Sequence, residues 1–402
     1  MDLKDKILDE AGKLQDKLVE KRHYLHQHPE VGFELENTKK FVIDELTSMG
    51  YTPNEVGKCG VVAIAGGKKP GKCILLRADM DALNMTEEAD IDFKSLTPGK
   101  MHGCGHDMHT TMLLGAARIL KDHEDEIEGC VKLMFQPAEE IFKGSLDMIS
   151  AGVLENPKVD AAVMIHVISG LPMPTGMFMV PNAGGVTMNT CEQYKITVVG
   201  KGGHGSTPSK AIDPITAAAH VHLSLQEVNA RELSQDEYGV FTTCSFQGGN
   251  TSNVIPDSVE MRGTIRTADV DRSVNKKIKK RIEEISTSVA QAFRCSAKVE
   301  FSDFCPCMRI NDEVTKKVYS YMSNLFGAAI VPMEPKAGGG SEDFAFISEE
   351  VPATSIFISA GSQSEGYEFG QHHPKVRFAD SCLRLGSAAY SYIALQYLSD
   401  NQ

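Results

Sequence analysis

The sequence predicts an α/β fold, in which a mixed, largely parallel sheet carries helices on both faces and a second domain is inserted. Two observations lead to this prediction. Over residues 1–185, short apolar runs alternate with helix-length amphipathic segments, which is typical of parallel strands joined by crossover helices. Over residues 186–303, the predicted order of elements is βαββαβ, that of a split ferredoxin-like unit that can close its own core.

The elements of the first part follow in order. A helix is predicted from Leu3 to His26, and a second one, "TKKFVIDELTSMG", ends at Gly50, as is common where glycine follows the last helical turn. The helix "MHTTMLLGAARILKDH" separates the second and third of four predicted strands, which are "VVAIAG", "CILLRADM", "VKLMFQP" and "AAVMIHV".

The inserted part, residues 186–303, contains four predicted strands and two predicted helices. The strands are "EQYKITVVG", "VFTTCSFQ", "VEMRGTIRT" and "SAKVEFSDF", and the helices are "DPITAAAHVHLSLQEV" and "SVNKKIKKRIEEISTSVAQAF". From residue 304 to 402 the α/β pattern resumes with "NDEVTKKVYSYMSNLFG", "ATSIFISAG" and "SCLRLGSAAYSYIALQYL". The first domain is therefore predicted to be discontinuous and to comprise residues 1–185 and 304–402.

Composition excludes several classes of protein. A chain of 402 residues exceeds the usual size of one core, which favours two domains. The net charge of -13 argues against a nucleic-acid partner, and no run of about 18 apolar residues predicts a membrane span. The charged N-terminus lacks the features of a signal peptide, and the ten cysteines are scattered. We therefore expect a cytoplasmic protein with reduced thiols.

Polar side chains follow three of the predicted strands. Asp79 and Asp81 end the second run, Glu139 and Glu140 follow the third, and His166 lies near the end of the fourth. Ligands of open parallel sheets bind beyond the carboxyl ends of the strands. The sequence therefore predicts a functional site at this edge.

The loop "MHGCGHDMHTT" lies between the second and third of these strands. Cys104 and His106 alternate with Gly103 and Gly105, and the freedom of a glycine backbone lets both side chains turn toward one point. Thiolate and imidazole are ligands for zinc and similar divalent ions. The loop is thus a candidate metal-binding segment.

The remaining candidate ligands lie elsewhere in the chain. Glu140, His166 and one histidine of "GQHHPKVRF", His372 or His373, bring the set to four or five ligands. That is more than one open catalytic ion needs, which predicts two divalent ions that share ligands. Because neighbouring side chains point apart, Glu140 is assigned to the metal and Glu139 to the water, as general base.

Seven motifs resemble one family: "HGCGHDMH", "RADMDAL", "FQPAEE", "GKGGHGSTP", "GGNTSNVIPD", "GGGSEDFAF" and "HHPKVRF". They are similar to those of the aminoacylase and carboxypeptidase metallopeptidases. Within that family they resemble the amidohydrolase subgroup of hippurate hydrolase, N-acyl-amino-acid amidohydrolases and plant auxin-conjugate hydrolases. The resemblance implies a catalytic α/β domain with two divalent ions (zinc, manganese, cobalt or nickel) and an inserted lid that makes a homodimer. It further implies hydrolysis of small N-acyl amino acids, such as N-acetyl or N-benzoyl compounds.

The resemblance also assigns residues. It implies Glu139 as the base, and it selects His372 over His373, because the family's ligand histidine stands two positions before the proline. Asp81 would orient His106 or a neighbouring ligand. The implied metal ligands are Cys104, His106, Glu140, His166 and His372.

Three residues of the inserted domain receive roles from the resemblance alone. His204 in "GKGGHGSTP" would reach the active site of the partner subunit and stabilise the oxyanion on the scissile carbonyl. Asn253 and Arg266 resemble residues that bind the substrate's free carboxylate, for which arginine has bidentate geometry.

Asp107 and His109 are interpreted as capping and packing residues of the helix that follows the loop.

Three alternatives stay open at this point. One is a dipeptidase or carboxypeptidase of the same fold, and another is a thiol enzyme in which His106 assists a reactive Cys104. The third is a metal-stabilised binding protein without catalytic activity. Comparing the release of amino acids from N-acyl amino acids and from dipeptides distinguishes the peptidase from the main hypothesis. Metal analysis distinguishes the thiol enzyme from it.

Overall fold

The computed structural model describes residues 2–401, and the chain divides into two compact units. The first unit comprises Met1–Gly185, Arg309–Lys336 and Asp343–Gln402. The second unit comprises Val186–Met308 and Ala337–Glu342. No helix within residues 2–401 combines the length and the apolar character that a membrane crossing requires.

Regular elements alternate along most of the chain. The α-helices within residues 2–401 are α1 (Leu3–Gln27), α2 (Glu36–Ser48), α3 (His106–Asp122), α4 (Gly144–Ser150), α5 (Pro214–Glu227), α6 (Ser273–Ala292), α7 (Asp312–Phe326), α8 (Phe344–Glu350) and α9 (Cys382–Asp400). The strands are β1 (Asn54–Val56), β2 (Gly60–Gly66), β3 (Cys73–Asp79), β4 (Cys130–Gln136), β5 (Ala161–Ile168), β6 (Phe178–Pro181), β7 (Gly185–Met188), β8 (Glu192–Val199), β9 (Gly203–His204), β10 (Gly239–Gln247), β11 (Val254–Ile255), β12 (Ser258–Thr267), β13 (Ser296–Phe301), β14 (Met308–Ile310), β15 (Ile330–Met333) and β16 (Ala353–Ser359).

The first unit contains an eight-stranded sheet in the order β1-β2-β4-β3-β5-β16-β6-β15. Its four central strands, β4, β3, β5 and β16, are mutually parallel, while β1, β2 and the β16–β6 pair are antiparallel. The predicted α/β fold with a mixed, largely parallel sheet is thus confirmed. Strands β3, β4 and β16 are buried along their whole length, which explains their nearly continuous apolar sequences.

Helices α3 and α9 pack closely against each other in this unit. A Cβ atom added to Gly386 of α9 would lie 1.9 Å from the sulfur of Met112 in α3. One added to Gly115 of α3 would lie 2.2 Å from Ser387 Oγ. Glycine at these two positions lets the two helices approach closely.

The second unit contains its own sheet, in the order β10-β12-β8-β13, and every neighbouring pair is antiparallel. Helices α5 and α6 supply the rest of its core, which includes Val221 and Ile278, both fully buried. The order of these elements along the chain is β8, α5, β10, β12, α6, β13.

Two segments group differently from the sequence-based boundaries. Residues 304–308 belong to the second unit, where the backbones of Cys305 and Cys191 exchange two hydrogen bonds of 2.9 Å. Residues 337–342 belong to the second unit, although they fall within the range 304–402 that the sequence assigns to the first domain. Hydrogen bonds explain the difference: the Asn189 amide donates to the Gly340 carbonyl at 3.3 Å, and Ser341 Oγ donates to the Thr190 carbonyl at 3.2 Å.

Candidate metal centre

The site of the first unit lies where β3, β4 and β5 end. Beyond β4 the chain turns sharply, because Ala138 and Phe142 both have positive φ, 55° and 54°. Between them, Glu139–Ile141 forms a short 3-10 turn. Such non-glycine outliers persist where the surroundings hold them, and they concentrate at functional sites. The turn presents Glu139 and Glu140 to the space beyond the sheet.

The loop before α3 depends on glycine. Gly105 precedes the helix with φ of 94°, and a Cβ there would lie 2.4 Å from Val167 Cγ2. The close approach of loop and strand brings Cys104 Sγ to 3.6 Å from His166 Nε2. His106 and Cys104 thereby reach the end of β5.

The five predicted ligands gather in two overlapping groups. Cys104, His106 and His166 form one group, and Cys104, Glu140 and His372 form the other, with the ligand atoms of each group all within 4.8 Å of one another. His372 Nε2 lies 3.5 Å from Glu140 Oε1, and His106 Nε2 lies 3.8 Å from the same oxygen. The Cys104 sulfur is common to both groups.

His372 and His373 have different surroundings. His372 has φ of 63°, and its backbone amide donates to the Gly103 carbonyl at 2.9 Å, which turns its ring toward Glu140. The His373 ring instead stacks on Phe369, with centroids 4.1 Å apart. Only His372 of the two belongs to the ligand groups found among residues 2–401.

The electrostatics of the cluster favour positive charge at its centre. Hydrogen bonds to Cys104 and Glu140 raise the pKa of His372 to about 10. Burial opposes protonation of His106, yet Asp79 and Cys104 outweigh it and raise the pKa of His106 well above its usual value. Glu140 Oε1 is buried, and it faces the Nε2 atoms of His372 at 3.5 Å and of His106 at 3.8 Å. A bound cation would supply the same positive charge.

His166 presents one nitrogen to the cluster. Its Nδ1 lies 2.6 Å from the Val167 carbonyl oxygen, so Nδ1 donates and the Nε2 lone pair faces Cys104. Burial and the nearby His109 hold the pKa of His166 well below its usual value. A neutral imidazole with a free Nε2 is the form that ligates a metal.

Asp81 supports the two glutamates as well as His106. Its Oδ1 accepts from the Glu139 amide at 2.9 Å, and its Oδ2 accepts from the Glu140 amide at 3.2 Å. Its Oδ1 also lies 3.5 Å from His106 Nδ1. Asp81 is thus placed to fix the turn and to orient an imidazole at the same time.

Asp107 and His109 differ from their interpretation as capping and packing residues. Asp107 is fully buried and accepts from Arg22 Nε at 2.8 Å and His26 Nδ1 at 2.9 Å. His109 Nδ1 donates to Asp79 Oδ1 at 2.6 Å, and its Nε2 accepts from the Val167 amide at 2.9 Å. Both are held in polar networks that the local sequence does not indicate.

Arg77 and Asp343 adjoin the site and stand in the motifs "RADMDAL" and "GGGSEDFAF", but the sequence assigned neither residue a role. Arg77 lies within β3, is 1% exposed, and donates to Asp79 Oδ2 at 2.6 Å and Asp343 Oδ1 at 3.0 Å. An arginine that directly follows the apolar residues "CILL" within a predicted strand was the available signal, because an arginine buried in a sheet needs acidic partners.

The three other predicted site residues lie in the second unit. His204 is on β9, is exposed, and its Nδ1 is 2.8 Å from Ser206 Oγ. Asn253 lies beside it, since its carbonyl accepts from the Gly205 amide at 2.9 Å. Arg266 lies on β12 and donates to the Ile265 carbonyl at 3.2 Å. The ligand cluster itself belongs to the first unit.

Comparisons with known proteins show the family of this chain. The family model described as Peptidase family M20/M25/M40 matches residues 75–396. Thermostable carboxypeptidase 1 of Saccharolobus solfataricus is 35% identical, over 99% of each chain. An IAA-amino acid hydrolase of Arabidopsis thaliana is 38% identical, over 95% of this chain and 86% of that one. The crystal structure of a dinuclear metal binding peptidase from Bacillus subtilis superposes with a TM-score of 0.79 at 28% identity, over 96% of this chain and 99% of that one. This chain therefore belongs to peptidase family M20/M25/M40.

Proposed function

We propose that the protein is a metal-dependent amidohydrolase that cleaves N-acyl amino acids into a carboxylic acid and a free amino acid. The observation that carries this proposal is the pair of ligand groups that share Cys104 and lie beside Glu139. The family and the relatives that act on amides of amino acids support it.

Two divalent ions would complete the site. Cys104, His106 and His166 would hold one, and Cys104, Glu140 and His372 the other. When bound, such ions polarise the scissile carbonyl and make a water acidic enough to ionise near neutral pH. The mixed sulfur, nitrogen and oxygen donors suit zinc, manganese, cobalt or nickel.

Glu139 is the proposed general base. Its side chain is buried, and its Oε2 lies 4.0 Å from His106 Nε2, beside the ligands without being assigned to them. From there its carboxylate can take a proton from the attacking water and deliver it to the leaving amine. The Asp81 contact to the Glu139 amide keeps the base in place.

The second unit would complete the active site. We propose that it is a ferredoxin-like lid through which two chains form a homodimer, as its βαββαβ order and four-stranded antiparallel sheet suggest. His204 would stabilise the oxyanion in the partner's site, and Asn253 and Arg266 would bind the substrate carboxylate. The homodimer and the cytoplasmic location both stay predictions.

A dipeptidase or carboxypeptidase activity is the second candidate, favoured by the 35% identical carboxypeptidase. The thiol alternative has less support, because burial, with Glu140 close by, raises the pKa of Cys104 and disfavours a free thiolate.

A substrate panel tests the proposal. Protein stripped with a chelator and reconstituted separately with zinc, manganese, cobalt or nickel is assayed against N-acetyl and N-benzoyl amino acids and against dipeptides. We expect hydrolysis of N-acyl amino acids only in metal-loaded samples. Faster release from dipeptides would favour the peptidase, and equal activity after stripping would refute metal dependence.

A further inference from the structure

A buried polar network lies behind the proposed base, and its centre is Asp343. This residue is fully buried and immediately precedes α8. Its carboxylate accepts hydrogen bonds from three separate segments of the first unit. The donors are Arg77 Nη2 at 3.0 Å, Gln136 Nε2 at 2.6 Å and the Ser145 amide at 3.0 Å. The carboxylate therefore ties the start of α8 to β3, to the end of β4 and to α4.

The backbone of Asp343 contacts the base directly. Its amide donates to Glu139 Oε1 at 3.4 Å, while Glu139 Oε2 is the oxygen that lies 4.0 Å from His106 Nε2. One oxygen of the base thus faces an amide donor and the other faces the ligands. The Asp343 amide therefore helps to hold this orientation of the Glu139 carboxylate, and one carboxylate oxygen each of Glu139, Glu342 and Asp343 lie within 4.8 Å of one another.

Arg77 connects the same network to the metal ligands. Its guanidinium bridges Asp343 and Asp79, and Asp79 accepts from His109, whose ring lies 4.5 Å from that of His166. Buried ionic hydrogen bonds of this kind hold their partners in one geometry. A continuous chain of contacts therefore links the proposed base, Glu139, to the proposed ligand His166.

We propose that Asp343 is a positioning residue for Glu139. Its side chain fixes the amide that orients the base, and it acts on the reaction only through Glu139. This inference rests on the proposed function, because it requires Glu139 to be the base.

The test compares Asp343→Asn with wild type on an N-acyl amino acid that the protein hydrolyses. Asparagine keeps the size of the side chain, but its amide cannot accept from all the present donors. We expect kcat to fall roughly 10- to 100-fold, because small displacements of a catalytic group are costly. KM is expected to change less than about two-fold and bound metal to stay unchanged.

Two further variants keep the test decisive. Ser145→Ala removes the hydroxyl that lies 3.1 Å from Asp343 Oδ1 but keeps the backbone amide, so we expect a smaller loss of kcat. If Asp343→Asn does not fold, Ser145→Ala is used in its place. The control, Thr315→Val, removes a buried hydroxyl pair with Thr354 that is 2.9 Å long. It should leave kcat at the wild-type value.

A double-mutant cycle separates positioning from general support of the fold. If Asp343 acts through Glu139, Asp343→Asn should not lower the residual turnover of Glu139→Gln any further. A further loss in that background, parallel loss of metal, or wild-type kcat in Asp343→Asn would overturn the inference. Wild-type kcat in Glu139→Gln would instead overturn the proposed base, so the two failures are distinguishable.

Discussion

At the scale of single residues, two histidines of the histidine-rich loop have different contacts and therefore different proposed roles. His106 faces Glu139 and Glu140, whereas His109 uses both ring nitrogens on Asp79 and the Val167 amide. With both nitrogens engaged, His109 has no lone pair to offer a cation, while His106 does. The role of each histidine depends on the partner of its second nitrogen.

Asp107 gives the first prediction at this scale. Burial opposes its charge, but Arg22 and His26 outweigh burial and hold the pKa of Asp107 well below its usual range. Asp107→Asn leaves Arg22 buried with one fewer acidic partner. We expect the free energy of unfolding to fall by about 3–5 kcal/mol, measured by urea denaturation of the metal-free protein.

The matched control is Asp44→Asn, which removes an exposed ion pair with Lys40 on α2. Its expected cost is below about 1 kcal/mol. Equal costs for the two variants would show that the Asp107 network does not support the first unit.

At the scale of elements, the length of the hydrophobic pattern determined which helices and strands could be predicted from the sequence. Long amphipathic helices and buried apolar strands were found from sequence within a few residues. The sequence did not indicate β6 and β15, which have four residues each. They pair with each other in parallel, Ile330 opposite Phe178, so their stability comes from distant pairing and not from local pattern.

The site was predictable to the same extent. Cys104, His106 and Glu140 stand in motifs whose chemistry is readable, whereas the contact between Asp343 and Glu139 joins segments far apart in sequence. His372 required the family pattern, because nothing local indicates that a histidine adopts a φ of 63°.

Gly105 gives the prediction at the scale of elements. Gly105→Ala would place a methyl group 2.4 Å from Val167 Cγ2 at a φ of 94°, so the loop must move away from β5. We expect weaker metal binding as well as lower stability, measured by metal titration and thermal unfolding.

Gly152→Ala is its control, because Gly152 also has a positive φ, 86°, but no atom within 4 Å of the added Cβ. This variant should cost about 1 kcal/mol and leave metal affinity unchanged. If both variants bind metal equally, the close approach of loop and strand does not shape the site.

For the molecule as a whole, the proposed functional residues lie in both units. The first holds every proposed ligand and the base, and the second holds His204, Asn253 and Arg266. Each unit has its own buried core, so each can keep its local geometry independently. Under the proposed function, turnover would need residues of both units.

The turnover and metal content of Glu139→Gln test the central claim most directly. Glutamine keeps the shape of the side chain but cannot accept the proton of the attacking water. Metal analysis and a steady-state assay on one reconstituted sample should show two divalent ions per chain, as in wild type, with kcat reduced roughly 100- to 10,000-fold. A folded, metal-loaded Glu139→Gln protein that hydrolyses N-acyl amino acids at the wild-type rate would contradict the account.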